Sequence, residues 1–301
     1  MWLKTVQQVS GKTSKPQVTT HTAEELNQGF HAVWNNIKQP NISTFIQTTN
    51  NHTEQPNITP EMINDEFQKL NTTKAPGPDG INNKILKKAK HALKEIVAHL
   101  FNICLTESFV PTQWKEANII TIPNIKEPKE VGDYRPIALT SSLCKTFERI
   151  IVKQILKNTE SIWKDNKQYG FLPGRNTMDA LIQVIEEWDR ATDEGRTTHT
   201  VFFDFKKAFD LINHLILLTK LDKLLPKWLT SWIAQYLTGR KQRVKSNDKF
   251  SQWLDVEAGV IQGSVPGTIQ FIIFISDINS YIPPTIELTN TQMTYALTTT
   301  T

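Results

Sequence analysis

Asp204 is the residue at which this sequence first offers chemistry. It lies in Thr200-Val-Phe-Phe-Asp-Phe-Lys-Lys-Ala-Phe-Asp-Leu-Ile212, where Val201, Phe203 and Phe205 alternate with Phe202 and Asp204. That two-residue period predicts a strand buried largely on both faces, ending where its carboxylate can leave the core. A carboxylate at the mouth of a buried strand, with Lys206, Lys207 and Phe209 just beyond it, suits a divalent cation and a triphosphate. The same residues also describe an Asp that merely ends a strand, so the segment alone leaves both readings open. Arg135, in Asp133-Tyr-Arg-Pro-Ile137, is a second candidate, since a guanidinium makes bidentate bonds to phosphate oxygens. An ordinary surface ion pair would use it equally well. Lysines 69, 74, 84, 87, 88 and 90 form one basic cluster and Arg240, Lys241, Arg243 and Lys245 another. Both suit a phosphate backbone, although solvated helix faces also carry such runs.

The elements that must hold these residues follow from period and punctuation. Residues 1–58 are rich in Thr, Gln and Asn and read as a loose polar leader with one short helix around Leu26, Phe30 and Val33. Thr59-Pro60-Glu61 is a helix start, with Ile63, Phe67 and Leu70 marking the buried face. Lys74-Ala-Pro-Gly-Pro-Asp-Gly-Ile81 is an irregular loop or a plain surface turn. Helical spacing from Ile85 to Leu105 predicts one long amphipathic helix, stopped by Pro111. Trp114 to Pro123 reads as a strand, Asn124 to Gly132 as a hairpin loop, and Leu143 to Ile155 as a helix. A second Gly/Pro loop, Tyr169 to Arg175, precedes a helix capped by Thr177 and running to about Ala191. Leu215 to Leu237 is helical with a break at Pro226, and Arg240 to Lys245 is strand-like. Gly259-Val-Ile-Gln-Gly-Ser-Val-Pro-Gly267 is a third glycine-rich loop ahead of the apolar Phe271–Ile278 segment.

The bulk properties narrow the field. A chain of 301 residues with 39% apolar content and a net charge of +4 is long enough for one large domain or two subdomains. Cys104 and Cys144 are too few and too far apart for a disulfide framework or a zinc site, so any metal is held by oxygen. Met1-Trp-Leu-Lys4 leads into polar residues rather than a signal peptide, and no apolar run reaches membrane-spanning length. The expectation is an intracellular protein, nuclear or cytoplasmic, with no membrane and no disulfide partner.

Six segments in their order resemble the reverse transcriptase domain of non-LTR (LINE-type, jockey-like) retrotransposons. They are Lys-Ala-Pro-Gly-Pro-Asp-Gly-Ile from Lys74, Trp-Lys-Glu-Ala from Trp114 and Tyr-Arg-Pro-Ile-Ala-Leu from Tyr134. Gly-Phe-Leu-Pro-Gly-Arg from Gly170, Asp-Phe-Lys-Lys-Ala-Phe-Asp from Asp204 and Gln-Gly-Ser-Val from Gln262 complete the set. The resemblance implies an α+β right-hand polymerase, with fingers and fingers–palm helices over 59–200 and palm over 201–301. It implies Asp204 as the catalytic, metal-binding aspartate, with the Phe205 carbonyl as a further ligand for Mg²⁺ or Mn²⁺. Arg135, Phe209, Gln262 and Gly263 would form the nucleotide pocket, with Phe209 beneath the incoming sugar. Lys74, Arg175, Arg240, Lys241 and Arg243 would contact nucleic acid. The partners implied are an RNA template, a DNA primer and a dNTP. Phosphoryl transfer of this type asks a protein mainly to position groups and stabilise charge, around two metals ~3.5–4 Å apart.

The sequence departs from the family where the second catalytic box, an aromatic, Ala, Asp, Asp on a β-hairpin, is due. Thr294-Tyr-Ala-Leu-Thr298 stands there, with both aspartates gone. The expectation is a fragment with no thumb, a polymerase by descent that does not polymerise as written. The other readings are a non-catalytic nucleic-acid-binding remnant and an enzyme whose gene continues past Ala296 in another frame.

Overall fold

The computed structural model describes residues 21–35, 41–46, 56–160, 168–172, 174–283, 285–290 and 294–300. Residues 1–20, 36–40 and 47–55, together most of the expected leader, lie outside these. Helix α1 (Ala23–His31) starts at a capping box in which Thr22 and Glu25 exchange side-chain-to-backbone bonds. Thr59 caps α2 (Pro60–Gln68), whose Ile63 and Phe67 are fully buried, as the sequence predicts. The long helix expected from Ile85 is instead two, α3 (Asn83–Lys88) and α4 (Lys90–Thr106), broken at Ala89. Ile85 and Ile96 are exposed at 60% and 67%, so part of the apolar stripe faces outward. A single turn, α5 (Thr112–Lys115), leads into β1 (Glu116–Pro123), and β2 (Tyr134–Leu139) returns antiparallel to it. Helix α6 (Ser142–Asn158) is capped by Ser141. Asn176, not Thr177, caps α7 (Thr177–Asp193), because its side chain accepts from the N–H groups of Met178 and Asp179.

Strand β3 (Thr198–Asp204) is followed by turns before the next helix. Lys207 adopts a φ of 54°, and Asn213 supplies the cap for α8 (His214–Leu224). Pro226 separates α8 from α9 (Lys227–Leu237), which is buried along most of its length. Then come β4 (Arg240–Ser246), β5 (Lys249–Phe250), β6 (Leu254–Val256), α10 (Gly267–Ile275), β7 (Glu287–Asn290) and β8 (Thr294–Thr300).

This is an α+β architecture with two sheets. The larger has the order β2-β1-β4-β5, with β6 also on β4, and its central pair β1–β4 is parallel. One face, carrying Ala117, Ile119, Ala138 and Val244, is covered by Ala23, Leu26 and Phe30 of α1. Alternation therefore turns Asn118, Ile122, Arg135, Lys241, Arg243 and Lys245 to the other face, where all six are half-buried or exposed. The smaller sheet has the order β3-β8-β7, with α7 lying on it and Trp188 donating its indole N–H to Thr200 Oγ1 at 2.9 Å. Because β3 is an edge, it is not buried on both faces as predicted. Val201 and Phe202 are exposed at 61% and 60%.

The main core lies among α2, α4, α6, α8, α9 and α10. At its centre Phe101 stacks on Phe147 at 4.5 Å, and Phe147 meets Trp232 edge-on at 5.1 Å. Edge-to-face and offset pairs of this kind are worth ~0.5–1.5 kcal/mol beyond area burial. No helix among the described residues is long and apolar enough to cross a membrane.

Candidate active site

The segment after Asp204 and the loop over 259–267 are stitched together by backbone. Gly259 N–H donates to Ile212 O at 2.9 Å and Val260 N–H to Phe209 O at 2.8 Å. Gly259 sits at φ 81°, and a Cβ there would come within 2.7 Å of the carbonyl oxygens of Phe209 and Asp210, so only glycine permits the approach. His214 adds a third stitch, its Nε2 lying 2.7 Å from Gly259 O. The far side of the loop is pinned to β2, where Ala138 N–H donates to Gln262 O at 2.8 Å. Gly263, at φ 106°, would press a Cβ to 2.8 Å from Ala138 O.

These contacts bring Phe209, Gln262 and Gly263 to the strand that carries Arg135, four of the residues the resemblance marks for the nucleotide pocket. Phe209 stacks on Phe271 at 5.2 Å and meets Phe171, from the second Gly/Pro loop, at 6.1 Å. Gln262 Nε2 donates to Asp210 Oδ1 at 3.2 Å. Asp210, His214, Gln262 and Trp34 border a cavity of about 50 Å³ with a largely apolar lining. Burial there raises the Asp210 carboxyl above the usual carboxylate range, offset in part by the Gln262 bond. The leader joins this site too, with Trp34 donating its indole N–H to Asp210 O at 2.9 Å.

Burial lowers the His214 pKa below its usual 6.5, against the opposing pull of the Gly259 carbonyl. Neutral His214 therefore donates Nε2–H to that carbonyl. Its folded pKa lies below its unfolded one, so its stabilising contribution is present above about pH 6.5 and lost as pH falls through the folded value. Thermal melts of the wild type should drop in midpoint between about pH 6.5 and 5. His214→Gln, which keeps a donor but does not titrate, should drop less. Equal slopes would remove His214 as the cause.

Asp204 is exposed at the end of β3 and faces Thr294 across the strand pair, with Phe203 opposite Tyr295. The aromatic-Ala pair thus lies beside the Asp204 strand. It does not sit between the two strands: Tyr295, Ala296, Leu297 and Thr298 are all inside β8, and residues 291–293 lie outside the described residues. Leu297 pairs with Val201 and Thr298 with Thr200, where the two threonine hydroxyls are 3.2 Å apart. Among the described residues no three His, Cys, Asp or Glu side chains gather as metal ligands. Asp210, the nearest acid along the chain, is turned onto Gln262. The described donor set does not make a two-metal site.

The expected nucleic-acid contacts divide. Arg240 is 3% exposed, donates to the carbonyls of Tyr236 and Trp114 at 2.9 and 3.2 Å, and lies 4.7 Å above the Tyr236 ring. It is an interior group and cannot meet a phosphate, contrary to the sequence expectation. Arg175 donates to Gln168 O at 2.8 Å and lies over Tyr169, which holds its own loop together. Arg243 is sandwiched between Phe250 and Trp253 at 4.1 and 4.5 Å and donates to Asn118. Lys241 and Arg135 are exposed on the open sheet face, and Lys74 is exposed in its loop. That loop packs so closely on Thr140–Ser141 that a Cβ on Gly77 would meet backbone at 2.5 Å.

Sequence reasoning missed Lys145 and Arg149, one turn apart on α6. Burial lowers the Lys145 pKa, and the charges of Arg149 and Lys74 push it the same way. Arg149 Nη1 is buried with no hydrogen-bond partner. Their i, i+4 spacing was the available signal. Glu148 between them was also missed.

A model of the reverse transcriptase (RNA-dependent DNA polymerase) family matches residues 125–296, more than half of the chain. The chain is 32% identical over 221 residues to a probable RNA-directed DNA polymerase from transposon BS of Drosophila melanogaster, covering 72% of this chain and 24% of that protein. It is 32% identical over 232 residues to the RNA-directed DNA polymerase from mobile element jockey of the same fly, covering 76% and 25%. A solved telomerase from Candida tropicalis, in complex with a fragment of telomeric RNA, aligns over 69% of this chain and 40% of its own, at TM-score 0.46 and 12% identity. The chain belongs to the reverse transcriptase family, with non-LTR retrotransposon polymerases as its relatives. It spans about a quarter of the length of the curated relatives it matches.

Proposed function

We propose that this chain forms the fingers and palm of a non-LTR reverse transcriptase, acting inside the cell, and that it binds nucleic acid and nucleotide without extending a primer. Residues 59–200 are assigned to the fingers and fingers–palm helices and 201–301 to the palm. The observation that carries the reading is the convergence of β2, the segment after Asp204 and the 259–267 loop on one pocket. Arg135 grips the triphosphate, Phe209 lies under the sugar, and Gln262 with Gly263 shapes the wall. Asp204 and the Phe205 carbonyl offer Mg²⁺ only a partial and weak site, and no catalytic step is assigned to it. RNA template and DNA primer are the partners, read through phosphates rather than bases.

The open face of the larger sheet, with Lys241 and Lys245, is the surface assigned to the strand backbone. If these two cations meet phosphates, affinity for an RNA–DNA duplex should fall roughly twelvefold between about 50 and about 200 mM salt. Lys241→Ala with Lys245→Ala should weaken binding and flatten that dependence, with little change between duplex sequences. Fluorescence anisotropy titrations measure both. Affinity indifferent to salt would refute the assignment of this face.

A further inference from the structure

The Gln262–Val265 segment is gripped at two points by carboxylates from other elements. On one side Asp210 Oδ1 accepts from Gln262 Nε2 at 3.2 Å. On the other, Glu148 of α6 is fully buried, and its Oε2 accepts from Val265 N–H at 2.8 Å. Glu148 Oε1 accepts from Tyr236 Oη at 2.7 Å and from Cys144 Sγ at 3.2 Å. The Arg240 guanidinium, 4.7 Å from the Tyr236 ring centroid, places a positive charge in the same interior. Burial, and then the charge of Glu148, pushes the Tyr236 hydroxyl and the Cys144 thiol up, so both remain donors.

We propose that Asp210 and Glu148 are positioning residues that preset the wall of the nucleotide pocket, Asp210 by orienting the Gln262 amide and Glu148 by anchoring the Val265 N–H. The inference rests on the reading of Gln262 and Gly263 as pocket residues. Because Asp210 Oδ1 accepts from the Gln262 NH₂, it holds that group inward and turns the amide carbonyl oxygen the other way. The pocket is thereby offered an acceptor rather than a donor. Within the loop, Ser264 Oγ donates to Ile261 O at 2.9 Å and accepts from Gly267 N–H at 3.2 Å, which tightens the turn but does not fix it to the body. Beyond the backbone stitches at Gly259 and Val260, the fixing of Gln262–Val265 is done by β2 at Gln262 O and by the two acids. Were Glu148 present only to join α6 to α9, its Tyr236 bond would serve, and Oε2 would have no reason to reach the loop.

The test pairs each acid with an acceptor-free and an acceptor-keeping variant. Glu148→Leu and Asp210→Leu remove the acceptor. Glu148→Gln and Asp210→Asn keep an oxygen that can take the same N–H, and Tyr236→Phe removes only the helix partner. Two readouts apply: amide hydrogen exchange over 260–267 compared with α6 and α9, and affinity for a dNTP on an RNA–DNA template–primer. Losing a hydrogen bond to a charged group predicts about tenfold or greater acceleration of loop exchange, beyond any change in the helices, and about tenfold weaker nucleotide binding for the Leu variants. The amide variants and Tyr236→Phe should stay within about twofold of wild type. Loop exchange unchanged in the Leu variants, or Leu and amide variants falling together, overturns the proposal. Should Glu148→Leu not fold, Asp210→Leu, at a half-buried site, reads the same loop independently. Wild-type protein that binds no nucleotide defeats the pocket reading, while the exchange measurements still decide whether the acids hold the loop.

Discussion

Given an RNA template, a DNA primer, four dNTPs and Mg²⁺ or Mn²⁺, the purified chain gives no primer extension above background. The reason is a count of charges and their places. Asp204 contributes one carboxylate, and among the described residues no three His, Cys, Asp or Glu side chains gather as metal ligands. Leu offers no oxygen, and a neutral Thr hydroxyl cannot balance two divalent ions. The obvious repair, Leu297→Asp with Thr298→Asp, fails for a geometric reason. Asp204 is opposite Thr294, so Leu297 lies three residues down the strand, about 10 Å away at 3.3 Å per residue, and on the opposite face. Thr298 is on the Asp204 face but one residue further still, and it is 4% exposed against Thr200. Restoring the two acids should leave extension at background and lower stability by several kcal/mol, the effective penalty for a buried unpaired charge. Gel-resolved extension assays and thermal melts measure the two effects. Robust extension by the unmodified chain that vanishes in Asp204→Asn would sink this account.

Arg240→Ala should destabilise the fold by ~3–5 kcal/mol, whereas Lys241→Ala, its neighbour on β4, should change stability by no more than ~0.5 kcal/mol. Removing the guanidinium leaves the Tyr236 and Trp114 carbonyls without their donor. It also strips the interior of the positive charge beside the Glu148–Tyr236 pair. Lys241 reaches Asp255, at 4.0 Å, with both side chains largely exposed. Urea unfolding of the two variants separates them. A triple charge reversal over Arg240, Lys241 and Arg243 would lose nucleic-acid binding through unfolding, so it says nothing about contacts. Arg240→Ala with wild-type stability would contradict the interior role.

The alternation in Arg240–Ser246 was legible as a strand, but period two does not say which face is inside. In this case the buried set is Arg240, Gln242, Val244 and Ser246, and a basic run that looked like surface holds a core cation. The helix start at Thr59-Pro60 was readable because its cap is local, whereas at α7 the cap fell one residue earlier than expected, at Asn176. The break at Ala89 was not, because Ile85 continues the helical spacing while facing water. Strand β3 was recognised from its aromatic alternation, yet its edge position depends on β8, almost a hundred positions on in its pairing, which no local window contains. Glu148 and Asp210 went unremarked because an acid looks alike in sequence whether it faces solvent or a buried N–H. Their partners, Val265 and Gln262, are fixed only by the tertiary fold.

The parallel β1–β4 pair sets a timetable for synthesis. Glu116 cannot find its neighbour until Lys241 has been made, 125 positions later (241 − 116). At roughly 5–20 residues per second, that wait is on the order of ten seconds. Throughout it, Ala117 and Ile119 have only β2 beside them, and α1, which packs against Val244, lacks the β4 part of its floor. Non-local pairing of this kind is slow to nucleate because the loop-closure entropy is spent before any contact forms. The nascent chain therefore carries an unfinished apolar sheet face while residues 117–240 are made, and a chaperone that recognises such faces would meet this protein before its 259–267 loop exists.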